Sequence, residues 1–437
     1  MGYKISDFIH IIKKDKERIF FNSRTLKLLA GNKADEEMLI DIKEGKTIDV
    51  NDIKVKYLIE NEIIVNDSLD EKEYVRLHRK KRMEYQKNKK NRIGYLRISL
   101  TEGCNLQCKY CFVNTIFKDK LKSNMTEEQF RKCMHWFIKE NEGKIPVVQY
   151  FGGEPLLRMD LIYMGHEMLV KAKSDGKINA FQEEIVTNGT LMDENKAKYF
   201  IGANIDVCFS IDGWKEINDK NRVYPDGKGS FESVYEGIKT FCNIGGLFKA
   251  IITPTNENIK IFHEIVEYMI SDLNCKEVSV NTPQPNKEGW EIDGNELAEA
   301  IKKAWTLCDE KRIPFNAPGT NVVFLVNNKM LQSYSCMNLT YGQDVNSYGV
   351  YINSSGKISK CVVECDEVCT CNFDEFTLDN EFIDWHYILE MREACVNCIA
   401  ANICGGPCKI EYEICKNKFN KEKCKFYKNI VPWVISQ

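Results

Sequence analysis

The sequence predicts an α/β fold built on a parallel sheet. From Ile93 onward, short apolar strand patterns alternate with amphipathic helical patterns through six units, and serial strand–helix units make parallel sheets with right-handed crossovers. The chemically distinctive residues of this region also follow the strands rather than the helices. Strands are expected near 95–100, 146–151, 181–187, 205–211, 247–253 and 277–282, with helices over Thr126–Glu140, Met159–Ser174, Asp193–Ile201, Ser230–Cys242 and Ile259–Ser271. Periodicity alone allows a partial barrel or an open doubly wound sheet.

At 437 residues, two or three domains are expected. The net charge of −3 gives no general reason to expect nucleic acid. No apolar run would span a bilayer and the N-terminus lacks an apolar signal core, so the expected address is the cytoplasm. Nineteen cysteines in a reducing compartment do not read as a disulfide framework. Three fall at 104–111 and eleven between Cys336 and Cys424, while Cys133, Cys208, Cys242, Cys275 and Cys308 are isolated and expected to pack as small hydrophobes. Clustered thiolates select zinc or iron–sulfur.

The first cluster, Cys104-Asn-Leu-Gln-Cys108-Lys-Tyr110-Cys111, follows the first strand. Three thiolates are one short of a closed zinc site, whereas a 4Fe–4S cluster on three thiolates keeps one iron open for a ligand. Phe151-Gly152-Gly153-Glu154-Pro155 follows the second strand, Thr187-Asn188-Gly189 the third, and Ser210-Ile-Asp-Gly213 with Arg222 the fourth. Glycines allow close backbone approach, Glu154 offers an acceptor to an ammonium group, and a guanidinium suits a carboxylate. In this order the loop and motifs resemble the radical S-adenosylmethionine (SAM) enzymes. The resemblance selects a partial (β/α)6 barrel. It implies that Cys104, Cys108 and Cys111 hold the cluster and that Gly152, Gly153, Glu154, Asn188, Ser210, Arg222 and Tyr110 surround SAM. Relatives often carry His where this chain has Asn218. The implied chemistry is reductive cleavage of SAM to a 5′-deoxyadenosyl radical that abstracts hydrogen from an unactivated carbon.

Residues 1–70 read as a small sheet with helices, winged-helix-like, with strands at Phe8–Ile12, Arg18–Phe21 and Thr25–Leu29 and helices over Ala34–Glu44 and Asp52–Glu62. In this position the module resembles the precursor-peptide recognition element of peptide maturases, where a leader adds as a strand to a sheet edge. A plain N-terminal cap and a DNA-binding use are the other readings. Residues 71–92 carry many Lys and Arg and read as a basic, solvated linker helix.

Residues 93–283 form the barrel, 284–335 a bridging region with a helix over Gly294–Glu310, and 336–437 a cysteine-rich domain. Cys395-Val-Asn-Cys398, Cys404, Cys408 and Cys424 resemble the SPASM extension, which binds two auxiliary 4Fe–4S clusters. That implies Cys395, Cys398, Cys404 and Cys424 on the far cluster and Cys336, Cys361, Cys408 and Cys365 on the near one; Cys369, Cys371 or an open site are alternatives to Cys365, and zinc is the alternative for the Cys-x-x-Cys pair. Three clusters and SAM are thus the expected cofactors.

As a whole the chain resembles radical SAM/SPASM peptide maturases, and is most similar in type to the streptide-forming lysine–tryptophan cyclase. The resemblance implies a leader-bearing precursor peptide as substrate and a flavodoxin or ferredoxin as reductant, with no membrane or nucleic-acid partner. Thioether-forming and sulfatase-type Ser/Cys-oxidising maturases are the enzymatic alternatives. An iron–sulfur electron carrier and a DNA-binding iron–sulfur regulator are the readings from other classes.

Overall fold

The computed structural model describes residues 2–88, 93–111, 113, 123–282, 291–332, 348–359, 370–371, 393–406, 411–412 and 420–437. The N-terminal module opens with β1 (Tyr3–Ile5), β2 (Ile9–Lys14), β3 (Glu17–Asn22) and β4 (Lys27–Gly31). It continues through α1 (Lys33–Lys43), α2 (Ile53–Glu60) and β5 (Ile64–Asn66). β2, β3 and β4 form an antiparallel meander and β1 pairs with β5. Asn32 and Asp35 start α1 with a reciprocal capping box.

Successive side chains of a strand point to opposite faces, and β3 uses both. Phe20 joins Leu29, Leu39, Val55 and Leu58 in the module's own core, while Phe21 joins Ile12 and Leu26 in the core of the main body. The module is therefore packed onto the barrel, not tethered to it. The following helix, α3 (Glu71–Asn88), forms where the basic stretch predicts one, yet it is not solvated all round. Glu71, Val75, Arg79 and Met83, spaced by one helical turn, are buried. Arg79 Nη2 donates to Asn402 Oδ1 at 2.8 Å, and Asn402 Nδ2 donates to the Ser23 carbonyl at 2.8 Å. A single C-terminal asparagine thus joins the module and α3.

The barrel strands are β6 (Ile93–Ser99), β7 (Val147–Phe151), β8 (Gln182–Thr187), β9 (Asp206–Ser210), β10 (Lys249–Ile252) and β11 (Glu277–Val280). All six pair in parallel in sequence order. Between them run α4 (Glu127–Glu140), α5 (Met159–Ser174), α6 (Glu194–Gly202), the short α7 (Lys215–Asn218), α8 (Phe231–Asn243) and α9 (Phe262–Ser271). The expected partial barrel is borne out, and among the described residues its sheet is wider than the six units predict. β12 (Phe315–Asn316) adds in parallel beside β11, and β13 (Tyr348–Ile352) adds in parallel beside β6. Both come from segments outside the strand–helix rhythm, one only two residues long and the other distant in sequence from its partner. β14 (Ile358–Ser359) and β15 (Thr370–Cys371) continue that edge antiparallel.

Three further helices close the body: α10 (Gly294–Lys311), α11 (Asn321–Asn327) and finally α12 (Lys421–Ser436) flank the sheet's β12 side, with α10 lying against α12. Gly294 makes that approach possible, since a Cβ there would stand 1.8 Å from the Glu422 carbonyl oxygen. No described helix is long and apolar enough to cross a membrane.

Replacing Asn402 with Ala leaves Arg79 and the Ser23 carbonyl without this buried partner. The expected cost is about 1–3 kcal/mol, read as a lower urea midpoint and faster proteolysis within residues 1–88; an unchanged midpoint would show that the packed faces alone hold the module.

Candidate active site

The cluster loop leaves β6 and is gripped by backbone before any side chain is considered. Gly153 N–H donates to the Thr101 carbonyl at 2.7 Å and Glu154 N–H to the Gly103 carbonyl at 2.9 Å. A Cβ on Gly153 would stand 2.1 Å from the Gly103 oxygen, and one on Gly152 2.3 Å from the Thr101 oxygen, with Gly152 also at φ 135°. The sequence suggests that these glycines admit a ligand; the geometry gives them a prior task, admitting the cluster loop's own main chain.

Glu154 is fully buried and spent on that framework. Its carboxylate accepts from Thr187 Oγ1 at 2.6 Å, Asn188 N–H at 2.8 Å and Leu156 N–H at 2.9 Å, tying the ends of β7 and β8 together. Burial pushes this carboxyl up to about 7, against the pull of those three donors. Asn188 then reaches the loop itself. Its Nδ2 donates to Asn105 Oδ1 at 3.0 Å and lies 3.6 Å from Cys104 Sγ, while Asn105 Nδ2 donates to Thr190 Oγ1 at 2.7 Å. Leu106 N–H also points at Cys104 Sγ, at 3.3 Å.

On the other side of the loop, Tyr110 donates its hydroxyl to Asp212 Oδ2. Arg222 grips the same carboxylate with Nε at 2.9 Å and Nη2 at 3.1 Å, and its guanidinium lies 5.4 Å from the Tyr110 ring centroid. Asn218, fully buried, accepts from Asp212 N–H at 3.3 Å and donates to Ser230 Oγ at 3.4 Å, so its amide makes local polar contacts. Ser210 closes β9, half-buried.

Cys104, Cys108 and Cys111 share this loop, each partly exposed. Burial pushes the Cys104 thiol up to about 12 and the Cys108 thiol up to about 11, with Arg222 drawing Cys108 down. Assembly of a metal site there must displace those protons. Among the described residues no group of three or more His, Cys, Asp or Glu is placed to hold a single ion. A 4Fe–4S cluster asks for something else, because each thiolate binds a different iron. The donor set fits that cofactor: soft thiols in one loop, with amide N–H groups aimed at a sulfur, a known lever on cluster potential.

In the C-terminal region Cys395, Cys398 and Cys404 lie on a tight run of turns, and Cys424 on α12 comes within electrostatic reach of Cys395, Cys398 and Cys404. Burial raises the Cys395 thiol to about 11, and Gly406 N–H donates to Cys404 Sγ at 3.3 Å. Cys336, Cys361, Cys365 and Cys408 lie outside the described residues, as do Cys369 and Cys415; Cys371 lies in β15, whose side chains are not described.

Sequence reasoning did not single out Asp212, Asn105, Thr187 or Glu102 as functional. Asp212 and Thr187 stand inside the motifs already picked out, and Asn105 inside the loop, so position carried the only available signal. Glu102 had none, because its partners come from far away. It is buried, accepts from Ser123 N–H at 3.0 Å and from Ser354 Oγ at 2.6 Å, and so ties the root of the loop to the turn after β13.

Residues 98–269 match the model of the Radical SAM superfamily. The cysteine-type anaerobic sulfatase-maturating enzyme of Clostridium novyi is 34% identical over 166 residues, covering 36% of this chain and 42% of that protein, so the chain spans less than half the length of this relative. Among solved structures, native anSMEcpe with bound AdoMet superposes with a TM-score of 0.64 at 18% identity, covering 78% of this chain and 98% of that one. SuiB of Streptococcus suis, bound to precursor peptide SuiA, does so with a TM-score of 0.54 at 16% identity, covering 97% and 99%.

Two outcomes are expected here. Gly153→Ala, which places a methyl against main chain, should lose about four irons per chain from the first site while circular dichroism stays native; full iron content would refute the loop–turn contact. Glu154 protonates more readily folded than unfolded, so stability should fall as pH rises from about 4.5 to about 7 and level off above. Urea midpoints across that window should show the slope, and Glu154→Gln should flatten it. The likeness to the Radical SAM superfamily thus lies over residues 98–269, the stretch that carries the end of β6 through β10 and the cysteine loop.

Proposed function

We propose that the chain cleaves SAM at a 4Fe–4S cluster held by Cys104, Cys108 and Cys111 and oxidises a ribosomally made, leader-bearing peptide, joining a Lys carbon to a Trp ring. When bound, the cluster and SAM supply the electron transfer and the deoxyadenosyl radical that takes hydrogen from an unactivated carbon. The protein's own residues hold and orient. The Gly152–Glu154 turn and Asn188 fix one side of the loop, and Tyr110, Asp212 and Arg222 the other. Arg222 supplies positive charge for a carboxylate, and Ser210 ends β9 two residues before the Asp212 that Arg222 grips. The observation that carries the reading is the backbone grip of Gly153 and Glu154 on Thr101 and Gly103, which binds three cysteines to the acceptor-rich end of a parallel barrel.

In this reading Cys395, Cys398, Cys404 and Cys424 hold one auxiliary cluster and Cys336, Cys361, Cys365 and Cys408 another. When bound, such clusters would supply acceptors for the electron released as the product forms, and a flavodoxin or ferredoxin would be the reductant for the site at Cys104, Cys108 and Cys111. The N-terminal module serves the peptide. β2 is an edge strand, and its residues Ile9 to Lys13 border a cleft of ≈ 740 Å³ whose other wall includes Cys398, Ile399, Lys428 and Pro432. An extended leader can add to such an edge. The match to SuiB, a protein solved with its precursor peptide, extends over 97% of the chain against 78% for anSMEcpe, which favours a maturase with an added module.

A second reading is sulfatase-type oxidation of a Ser or Cys side chain, favoured by the Clostridium novyi relative and by the higher TM-score of anSMEcpe. Anaerobic incubation of a leader-bearing peptide with reconstituted enzyme, SAM and reductant separates the two. Lys–Trp coupling and Ser oxidation each remove two hydrogens, whereas Cys oxidation removes two hydrogens and, once water hydrolyses the thioaldehyde, releases hydrogen sulfide and leaves oxygen in place of sulfur. Fragmentation that finds a Lys–Trp linkage supports the first, an oxidised Ser or Cys supports the second, and an unmodified mass with every physiological peptide contradicts both. Leader binding should also slow hydrogen exchange at the β2 amides; protection confined to other elements would refute the edge-strand role.

A further inference from the structure

We infer that Asp212 is a positioning residue: one buried carboxylate that clamps the cluster loop, through Tyr110, to the guanidinium of Arg222. The inference rests on reading the Cys104 loop and Arg222 as the SAM site. Asp212 is 1% exposed and Arg222 6%, yet the pair lies at the rim where the cluster loop meets the ends of β9 and β10. All four principal donors to this carboxylate are accounted for. Oδ1 accepts from Arg222 Nη2 at 3.1 Å and from the Thr253 N–H at 3.0 Å. Oδ2 accepts from Arg222 Nε at 2.9 Å and from the Tyr110 hydroxyl.

Three features separate this from an ordinary core ion pair. Tyr110 lies between two of the cluster cysteines and 102 residues from Asp212, so the bond fixes the loop to the barrel rather than one turn to itself. The Arg222 edge most suited to a bidentate carboxylate is already taken within the chain, so an incoming carboxylate meets a guanidinium that is held in place and partly neutralised. Asp212 pairs with the Arg222 guanidinium at 2.9 Å, and that guanidinium lies 5.4 Å from the Tyr110 ring centroid, so the carboxylate offsets a positive charge beside the loop. Loop position, guanidinium orientation and local charge thus meet in one residue. A buried carboxylate with this many donors is costly to disturb, because removing it strands its partners.

The test uses the full-length, reconstituted holoenzyme and two variants, and reads the electron paramagnetic resonance signal that SAM perturbs. Asp212→Asn removes one negative charge and leaves Arg222 uncompensated. At the solution potential where the wild-type signal is half developed, the reduced-to-oxidised ratio should rise on the order of tenfold. Tyr110→Phe removes one hydroxyl and no charge. It should leave that ratio within about twofold of wild type while weakening SAM affinity on the order of tenfold, the effect of losing a hydrogen bond to a charged group. Retained iron at the C-terminal cysteines reports that Asp212→Asn has folded, and if it has not, Tyr110→Phe alone decides. Asp212→Asn with a wild-type ratio, or Tyr110→Phe with wild-type SAM affinity, overturns the clamp. A wild-type signal that SAM does not perturb instead refutes the underlying SAM-site reading.

Discussion

The approach of the Gly152–Gly153 turn to the Thr101–Gly103 backbone is the constraint on which the rest of the site depends. Two hydrogen bonds at 2.7 and 2.9 Å join them, with no room for a side chain at either glycine. Main-chain contacts this close place the cysteine loop relative to β7 to within a fraction of an ångström, whatever the surrounding side chains do. Because β7 sits mid-sheet between β6 and β8, that position is inherited from the middle of the sheet. A loop whose task is to present three thiols would otherwise be among the more mobile parts of such a fold.

Around that contact stand three buried carboxylates, each anchoring the loop to a different neighbour. Glu154 reaches the end of β8, Asp212 reaches Tyr110 and Arg222, and Glu102 reaches Ser354 after β13. Buried acids are tolerated only when their oxygens are satisfied, so each one demands that several donors be in place at once. The consequence is cooperative placement: the loop, the strand ends and the C-terminal turn take up position together. Through Ser354 the first cysteine loop is also linked mechanically to the strand that leads toward the C-terminal cysteines.

Much of this was legible in the sequence. The alternation after Ile93 located all six barrel strands to within a few residues, and Met159–Ser174 to the residue, because amphipathic helices and doubly covered strands announce their period locally. The three-cysteine loop and the motifs after β7, β8 and β9 are likewise local strings. What escaped was non-local. β12 and β13 widen the sheet by pairing across long sequence separations, and a two-residue strand has no period to read. The buried stripe of α3 was hidden by its lysines and arginines, since Arg79 is buried against Asn402 and the Ala401 carbonyl, more than 300 residues away in sequence. Glu102 and Asp212 read as ordinary acids until their partners from residue 354 and residue 110 are beside them. The roles of Gly152 and Gly153 were half legible: the need for close approach was plain, its object was not.

The most direct measurement of the central claim is formation of 5′-deoxyadenosine by the anaerobically reconstituted enzyme given SAM and dithionite, beside Cys108→Ala. The account predicts nucleoside formation by the wild type and none by the variant, which should retain iron at the C-terminal cysteines. Equal cleavage by both proteins, or none by a wild type that carries its full iron, would contradict it.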